Sequence, residues 1–257
     1  MSEDCTPDDV ARMLGQHLDS LRAAGVEWGP SGQGGALPLP TVAAGPVQTS
    51  LFASAAEAAA PAGDLDQRRQ ALDALRKQVA VCTRCPQLAA TRTQTVFGVG
   101  PIDAELCFVG EAPGADEDRL GEPFVGAAGQ LLDRIVAACG LKREEVFICN
   151  ILRCRPPGNR TPLPDEAHNC SEWLEKTLEL VRPKFLCALG GTAAKYLLGT
   201  ETGITRLRGK FFEYRGIPVL CTFHPSYLLR SPEKKKDVWE DMKTLLGRMG
   251  KPIPGKG

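Results

Sequence analysis

Four short apolar runs of strand-like composition punctuate the chain: ELCFVG (105–110), EVFICN (145–150), KFLCALG (184–190) and IPVLCTFH (217–224). Each is too short for a helix and reads as a strand buried on both faces. Between them the spacing of apolar positions turns helical. AAGQLLDRIVAACG is closed by Gly140, and DEAHNCSEWLEKTLELV is opened by Asp165 and stopped by Pro183. This alternation predicts a three-layer α/β/α domain around a central four-stranded parallel sheet. Ligands of such sheets bind beyond the carboxyl ends of the strands. Every run here ends at that edge in an unusual sequence: GEAPG, Asn150, Gly190-Gly191-Thr192 and His224-Pro225-Ser226. Four chemically loaded loops on one rim make a candidate site.

The pattern weakens towards the N-terminus. Thr6-Pro7-Asp8-Asp9 starts a helix on which Val10, Leu14, Leu18 and Leu21 recur at helical spacing. From Gly29 to Gly63 the chain is Ala, Gly, Pro and Ser with few large side chains, a composition that cannot offset its own ordering entropy. The expected division is an extension over 1–63, mostly disordered, and a folded domain over 64–257. No apolar run approaches the roughly 20 residues of a membrane span. The acidic start MSEDCTPDD is unlike a signal peptide. A cytoplasmic protein is expected.

Composition changes this picture in two places. The formal net charge of +0 hides an asymmetry, since residues 1–63 hold seven acids against Arg12 and Arg22. The excess of basic residues therefore lies in the folded domain, thickening towards Lys234–Lys236; a solvated helix face explains that run alone, an anionic partner the whole asymmetry. Ten cysteines in a reducing compartment are poor candidates for disulfides. Some are expected to hold metal. Cys107, Cys149, Cys187 and Cys221 in the strand runs, and Cys139 in a helix, default to core packing.

The loop glycines of GEAPGADED let a ligand approach the backbone, but the dinucleotide spacing GxGxxG is absent and Pro113 removes a donor. PFVG places Phe124 just before a helix, where a core phenylalanine is the plain alternative. A histidine before PSYLLR is ordinarily structural, yet this one stands at a strand end with a basic helix behind it. GEAPG with PFVG some ten residues on, Asn150 before RCRPPGNR, and HPSYLLR together resemble the family 4 uracil-DNA glycosylases, which carry an iron–sulfur cluster. The resemblance covers roughly residues 70–247 and leaves out the extension.

That resemblance implies a pocket for a base flipped out of DNA. Phe124 is implied as the stacking aromatic, with Gly110 and Ala112 beside it. Asn150 is implied as the reader of the uracil edge, a discrimination worth about 1–3 kcal/mol for a bidentate contact. His224 is implied as the donor to the departing base, where negative charge grows. The best-known related families carry Asp or Asn where this chain has Ala112, so the water-activating group is open among Glu111, Glu117, Asp118 and Asn159. Glu111 is favoured. Leu228 or Leu229 would wedge into the duplex while Ser226 and Arg230 hold phosphates, and Arg153, Arg155 and Arg160, with Asn159, would be presented to DNA.

The same resemblance completes Cys82-x₂-Cys85 with Cys154 and Cys170 as ligands of a 4Fe-4S cluster. Four thiolates equally suit zinc on their chemistry alone. A subclass that is trapped covalently on uracil-DNA carries a basic insertion with a histidine after the second strand; RCRPPGNRTP has none, which favours turnover. A non-catalytic DNA-binding module or an electron carrier would not need Phe124, Asn150 and His224 on one rim. The expected protein is a monomeric DNA glycosylase. Within the extension, QTSLF (48–52) is similar to the Gln-x-x-Leu-Phe peptides that dock on bacterial sliding clamps, with Gln48, Leu51 and Phe52 as the contacts.

Overall fold

The computed structural model describes residues 62–255. The helix expected after Thr6, the linker and QTSLF lie outside the described residues. The chain enters through helix α1 (Ala62–Ala80) and the short α2 (Pro86–Thr91), and strand β1 (Leu106–Gly110) follows. Next come α3 (Ala115–Leu120), α4 (Ala127–Ala138), β2 (Phe147–Asn150), α5 (Pro164–Val181), β3 (Phe185–Leu189), α6 (Gly191–Leu198) and α7 (Ile204–Leu207). A hairpin of β4 (Phe211–Tyr214) and β5 (Ile217–Thr222) leads to α8 (Pro225–Arg230) and α9 (Lys235–Arg248).

The sheet runs β2-β1-β3-β5-β4, with the first four strands parallel. The expected sheet had four strands and the observed one has five, because β4 adds an antiparallel edge. Phe211-Phe212-Glu213-Tyr214 precedes IPVLCT by two residues only, and Arg215 and Gly216 both take positive φ (49° and 82°). That is the two-residue turn whose twist suits a hairpin.

Alternation along each strand divides the core. Cys107, Val109, Phe147, Cys149, Leu186, Ala188, Val219 and Cys221 face α1, α5 and α6. Leu106, Phe108, Ile148, Cys187, Leu189 and Leu220 face α4, α8 and α9. Both faces are apolar because helices cover both. Cys107, Cys139, Cys149, Cys187 and Cys221 are buried free thiols in this packing. Burial pushes Cys187 well up, and Cys221 up to about 12.

Candidate active site and cysteine pocket

The carboxyl ends of β1, β2 and β5 meet at a cleft of about 350 Å³, which the chain after β3 also borders. Glu111, Ala112, Phe124, Asn150, Asn159, His224, Ser226 and Arg230 all line it. Gly110 stands opposite Asn150 in register. A Cβ on Gly110 would lie 2.4 Å from Asn150 Oδ1 and 2.5 Å from the Phe124 ring, so glycine is what allows these two side chains to share the space.

Asn150 is 2% exposed, and its Oδ1 is buried without a hydrogen-bond partner. An unmet buried amide oxygen is costly to leave in a folded protein, and this one belongs to a residue that lines the cleft. Phe124 adopts φ 54°, a rare conformation for an aromatic residue. Its surroundings hold it there. Glu117 Oε1 accepts from Val125 N and Gly126 N, both at 3.0 Å, while Oε2 accepts from Gly114 N at 3.1 Å. Behind the loop the Phe124 carbonyl lies where a Cβ on Gly129 would stand. Strain of this kind, clamped by a buried carboxylate, collects at functional sites.

His224 is the N-cap of α8. Its Nδ1 accepts from Ser226 N at 3.1 Å and stands 2.7 Å from Ser226 Oγ. With Nδ1 accepting, the neutral ring carries its proton on Nε2. Burial, and then the Arg230 charge, lower its pKa to about 4, with Glu117 opposing. The imidazole is therefore a neutral donor at physiological pH. Its ring centroid lies 5.6 Å from that of Phe124. Gly190, at φ 92°, leaves room for it, since a Cβ there would meet His224 Cβ at 2.9 Å.

The four groups considered for water activation are placed differently. Both Asp118 oxygens accept from Thr93 N, both Glu117 oxygens hold the Phe124 loop, and Asn159 Oδ1 accepts from Arg155 Nε at 2.7 Å. The Glu111 carboxylate makes no hydrogen bond or ion pair among the described residues, and it lines the cleft.

The basic and apolar residues also separate. Leu228 is fully buried against α4 and α9, whereas Leu229 is 44% exposed, so only Leu229 is free to act as a wedge. Arg155 is half-buried, donates to Asn159 and is not among the residues that line the cleft. Arg160 lines the cleft but is held by both Glu166 oxygens, at 2.9 and 2.6 Å. That pair lowers the Glu166 pKa. The expectation that Arg153 faces DNA is overturned: its side chain is 1% exposed. Position in a basic loop could not reveal this, because the residue that turns inward is set by the β2 register.

On the α1/α5 side of the sheet Cys82, Cys85, Cys154 and Cys170 line one further pocket. Cys82 and Cys85 precede α2, Cys154 follows β2 and Cys170 lies on α5. Three N–H groups already point at these sulfurs: Arg92 Nη1 to Cys154 at 3.1 Å, Arg153 N to Cys170 at 3.3 Å and Asn169 Nδ2 to Cys85 at 3.7 Å. Burial pushes Cys170 up to about 12 and raises Cys85 and Cys154. Among the described residues, no three His, Cys, Asp or Glu side chains are grouped as ligands of a single metal ion. Arg153 and Trp173 are among the residues that line this pocket, and Arg153 Nε and Trp173 Nε1 are buried donors without an acceptor. Four thiols with unmet N–H donors among the residues around them suit a sulfur-rich group that accepts from those donors. Arg92 and Trp173 escaped the sequence reading, which had only cysteine spacing to follow.

A model of the uracil DNA glycosylase superfamily matches residues 97–243. The chain belongs to that superfamily. It is 43% identical over 179 residues to a type-4 uracil-DNA glycosylase of Thermotoga maritima, covering 68% of this chain and 93% of that protein. A type-4 uracil-DNA glycosylase of Archaeoglobus fulgidus is 40% identical over 193 residues, covering 72% and 96%. A type-5 uracil-DNA glycosylase of Pyrobaculum aerophilum is more distant, at 31% over 180 residues, 57% of this chain and 79% of that protein. Within the superfamily, the type-4 family is where this chain belongs.

Proposed function

We infer that the protein excises uracil from DNA by hydrolysing its N-glycosidic bond, the first step of base excision repair. The observation that carries this reading is the unpartnered Asn150 carboxamide, buried beside Phe124 in a cleft that His224 also lines. A base in the cleft stacks on Phe124. Asn150 pairs with its edge, accepting the ring N–H and donating to a keto oxygen, a pattern that the amino group of cytosine does not match. As the bond to the sugar breaks, negative charge grows on the base. The His224 Nε2–H meets that charge, and a neutral imidazole keeps the match better than a buried cation that would have to be desolvated. Glu111 orients the water whose oxygen bonds to the sugar carbon, and the proton balance ends with one proton on the released uracil. Leu229 enters the space the base leaves, while Ser226, Arg230 and the Arg155–Asn159 loop hold the backbone.

In this reading Cys82, Cys85, Cys154 and Cys170 hold a 4Fe-4S cluster. Bound there, the cluster supplies links between α2, α5 and the chain after β2 rather than electrons, since hydrolysis moves none. A reducing, cytoplasmic setting suits thiolate ligands. No described helix is long and apolar enough to cross a membrane. The enzyme acts as a monomer, and Gln48, Leu51 and Phe52 tether it to a sliding clamp. The test is release of uracil from a singly substituted oligonucleotide by wild type and by Asn150→Ala, with iron measured in both. Release by wild type and its loss in the iron-loaded variant is the expected result. A wild type that binds the oligonucleotide and releases nothing would overturn the reading in favour of a binding module.

A further inference from the structure

Arg153 heads the fully buried side chains by volume. A guanidinium stays protonated when buried and needs a counter-charge. None of its partners among the described residues is a carboxylate, though the Cys149 thiol also faces it, with a pKa lowered by Cys107 and then by this arginine. Nη1 donates to the Asn150 carbonyl at 3.2 Å and Nη2 to Thr177 Oγ1 at 3.1 Å; the group also lies 5.4 Å from the centre of the Phe97 ring. Nε has no acceptor, and the residue's own backbone N–H donates to Cys170 Sγ. The charge therefore sits between two sites. One end holds the backbone of the residue that reads the base, and the other lines the cysteine pocket.

We propose that Arg153 is a positioning residue that couples the two sites. Its charge balances the net-negative centre formed when four thiolates ligate metal, its Nε–H serves a sulfur of that centre, and its Nη1 fixes the Asn150 carbonyl. The coupling rests on the reading that the four cysteines hold an iron–sulfur cluster. It explains why an arginine, rather than an apolar residue, fills a position this deep. It also gives the cluster a bearing on base recognition without any electron transfer. Within the chain the path is short: Asn150 ends β2, Arg153 follows three residues later and Cys154 comes next.

The experiment compares wild type, Arg153→Met, Arg153→Lys and Thr177→Val, each isolated with its iron. Three quantities are read: the midpoint potential of the centre, the rate of iron loss to a chelator, and inhibition by free uracil. Arg153→Met should shift the potential to more negative values, because removing a cation disfavours the reduced state. It should lose iron about 10- to 100-fold faster, and bind uracil more weakly. Arg153→Lys keeps the charge but not the fork, so it should restore the potential and leave uracil binding weak. Thr177→Val keeps the charge and frees Nη2. Its potential should match wild type and its uracil inhibition should weaken, which keeps the coupling testable if Arg153→Met does not fold. Iron-loaded Arg153→Met equal to wild type in all three readouts, or Thr177→Val with unchanged uracil inhibition, overturns the coupling alone. A wild type that purifies without iron overturns the cluster reading, and the coupling with it.

Discussion

His224 differs from an ordinary surface histidine in one respect that can be measured: the folded protein holds its pKa at about 4, while an unfolded chain takes up that proton near 6.5. The neutral ring is thus available for donation across the physiological range. Stability owed to its neutral burial is fully present above pH 6.5, and it is lost as the pH falls through that value towards 4. Single-turnover base release should accordingly show no His224 titration between about pH 8 and 5.5, then decline towards pH 4. A limb centred near 6.5 would contradict the assignment. His224→Ala should slow release by about 10²- to 10³-fold, the loss expected for one such donor, and leave DNA affinity nearly unchanged. The motif HPSYLLR made this residue legible in the sequence. Its tautomer was not, because that depends on the Ser226 backbone N–H that α8 presents to Nδ1.

Among the elements, the turn between α3 and α4 does the most to shape the cleft. Glu117 belongs to α3 but spends both oxygens on backbone N–H groups that follow Phe124 and close the GEAPG loop. Glu117→Gln would set an amide N–H₂ against N–H donors and leave at least one buried group unmet. It should therefore weaken uracil inhibition and lower the rate together, with about 1–3 kcal/mol lost in stability. Melting temperature and uracil inhibition read the two effects separately. The sequence reading offered this same carboxylate for water activation, since pattern alone cannot tell a clamp from a catalyst. It also missed β4, although FFEYRGIPV carries two apolar runs around a two-residue turn. The parallel strands were easier to find because burial on both faces gives continuous apolar runs, whereas three of the four β4 residues are only partly buried and Glu213 is exposed. The loop after β2 was legible as a cysteine-bearing basic segment. If the four cysteines hold the proposed cluster, Cys154→Ala should bleach the visible absorbance and lower the melting temperature, because removing one of four ligands would weaken the link between this loop and α2. Cys107→Ser should keep the colour, as its thiol lies in the sheet core.

For the molecule as a whole, charge and composition divide the chain into an acidic part poor in large apolar groups and a part that carries the cleft. The family match covers residues 97–243, and every residue assigned to the base cleft falls inside it. Residues 1–63 carry an acidic excess and one phenylalanine, Phe52, beside Leu51 in a stretch otherwise poor in large apolar groups. Such a pair has a use if a partner buries it: in the proposed reading Leu51 and Phe52 would fill an apolar cleft on a sliding clamp and Gln48 would bond at its rim. A short peptide ordered on binding has modest affinity, so the benefit comes from effective concentration near DNA, not from tight docking. Three consequences follow for the 257-residue chain. Leu51→Ala with Phe52→Ala should leave uracil release from a short free oligonucleotide unchanged, since neither residue belongs to the cleft. On a long duplex loaded with the cognate clamp, the same variant should lose any acceleration that the clamp gives wild type. Adding a peptide of residues 44–56 in excess should abolish that acceleration for wild type and do nothing to the variant. Equal acceleration of both proteins, or none of either, would remove the clamp from the account and leave the excision chemistry as it stands.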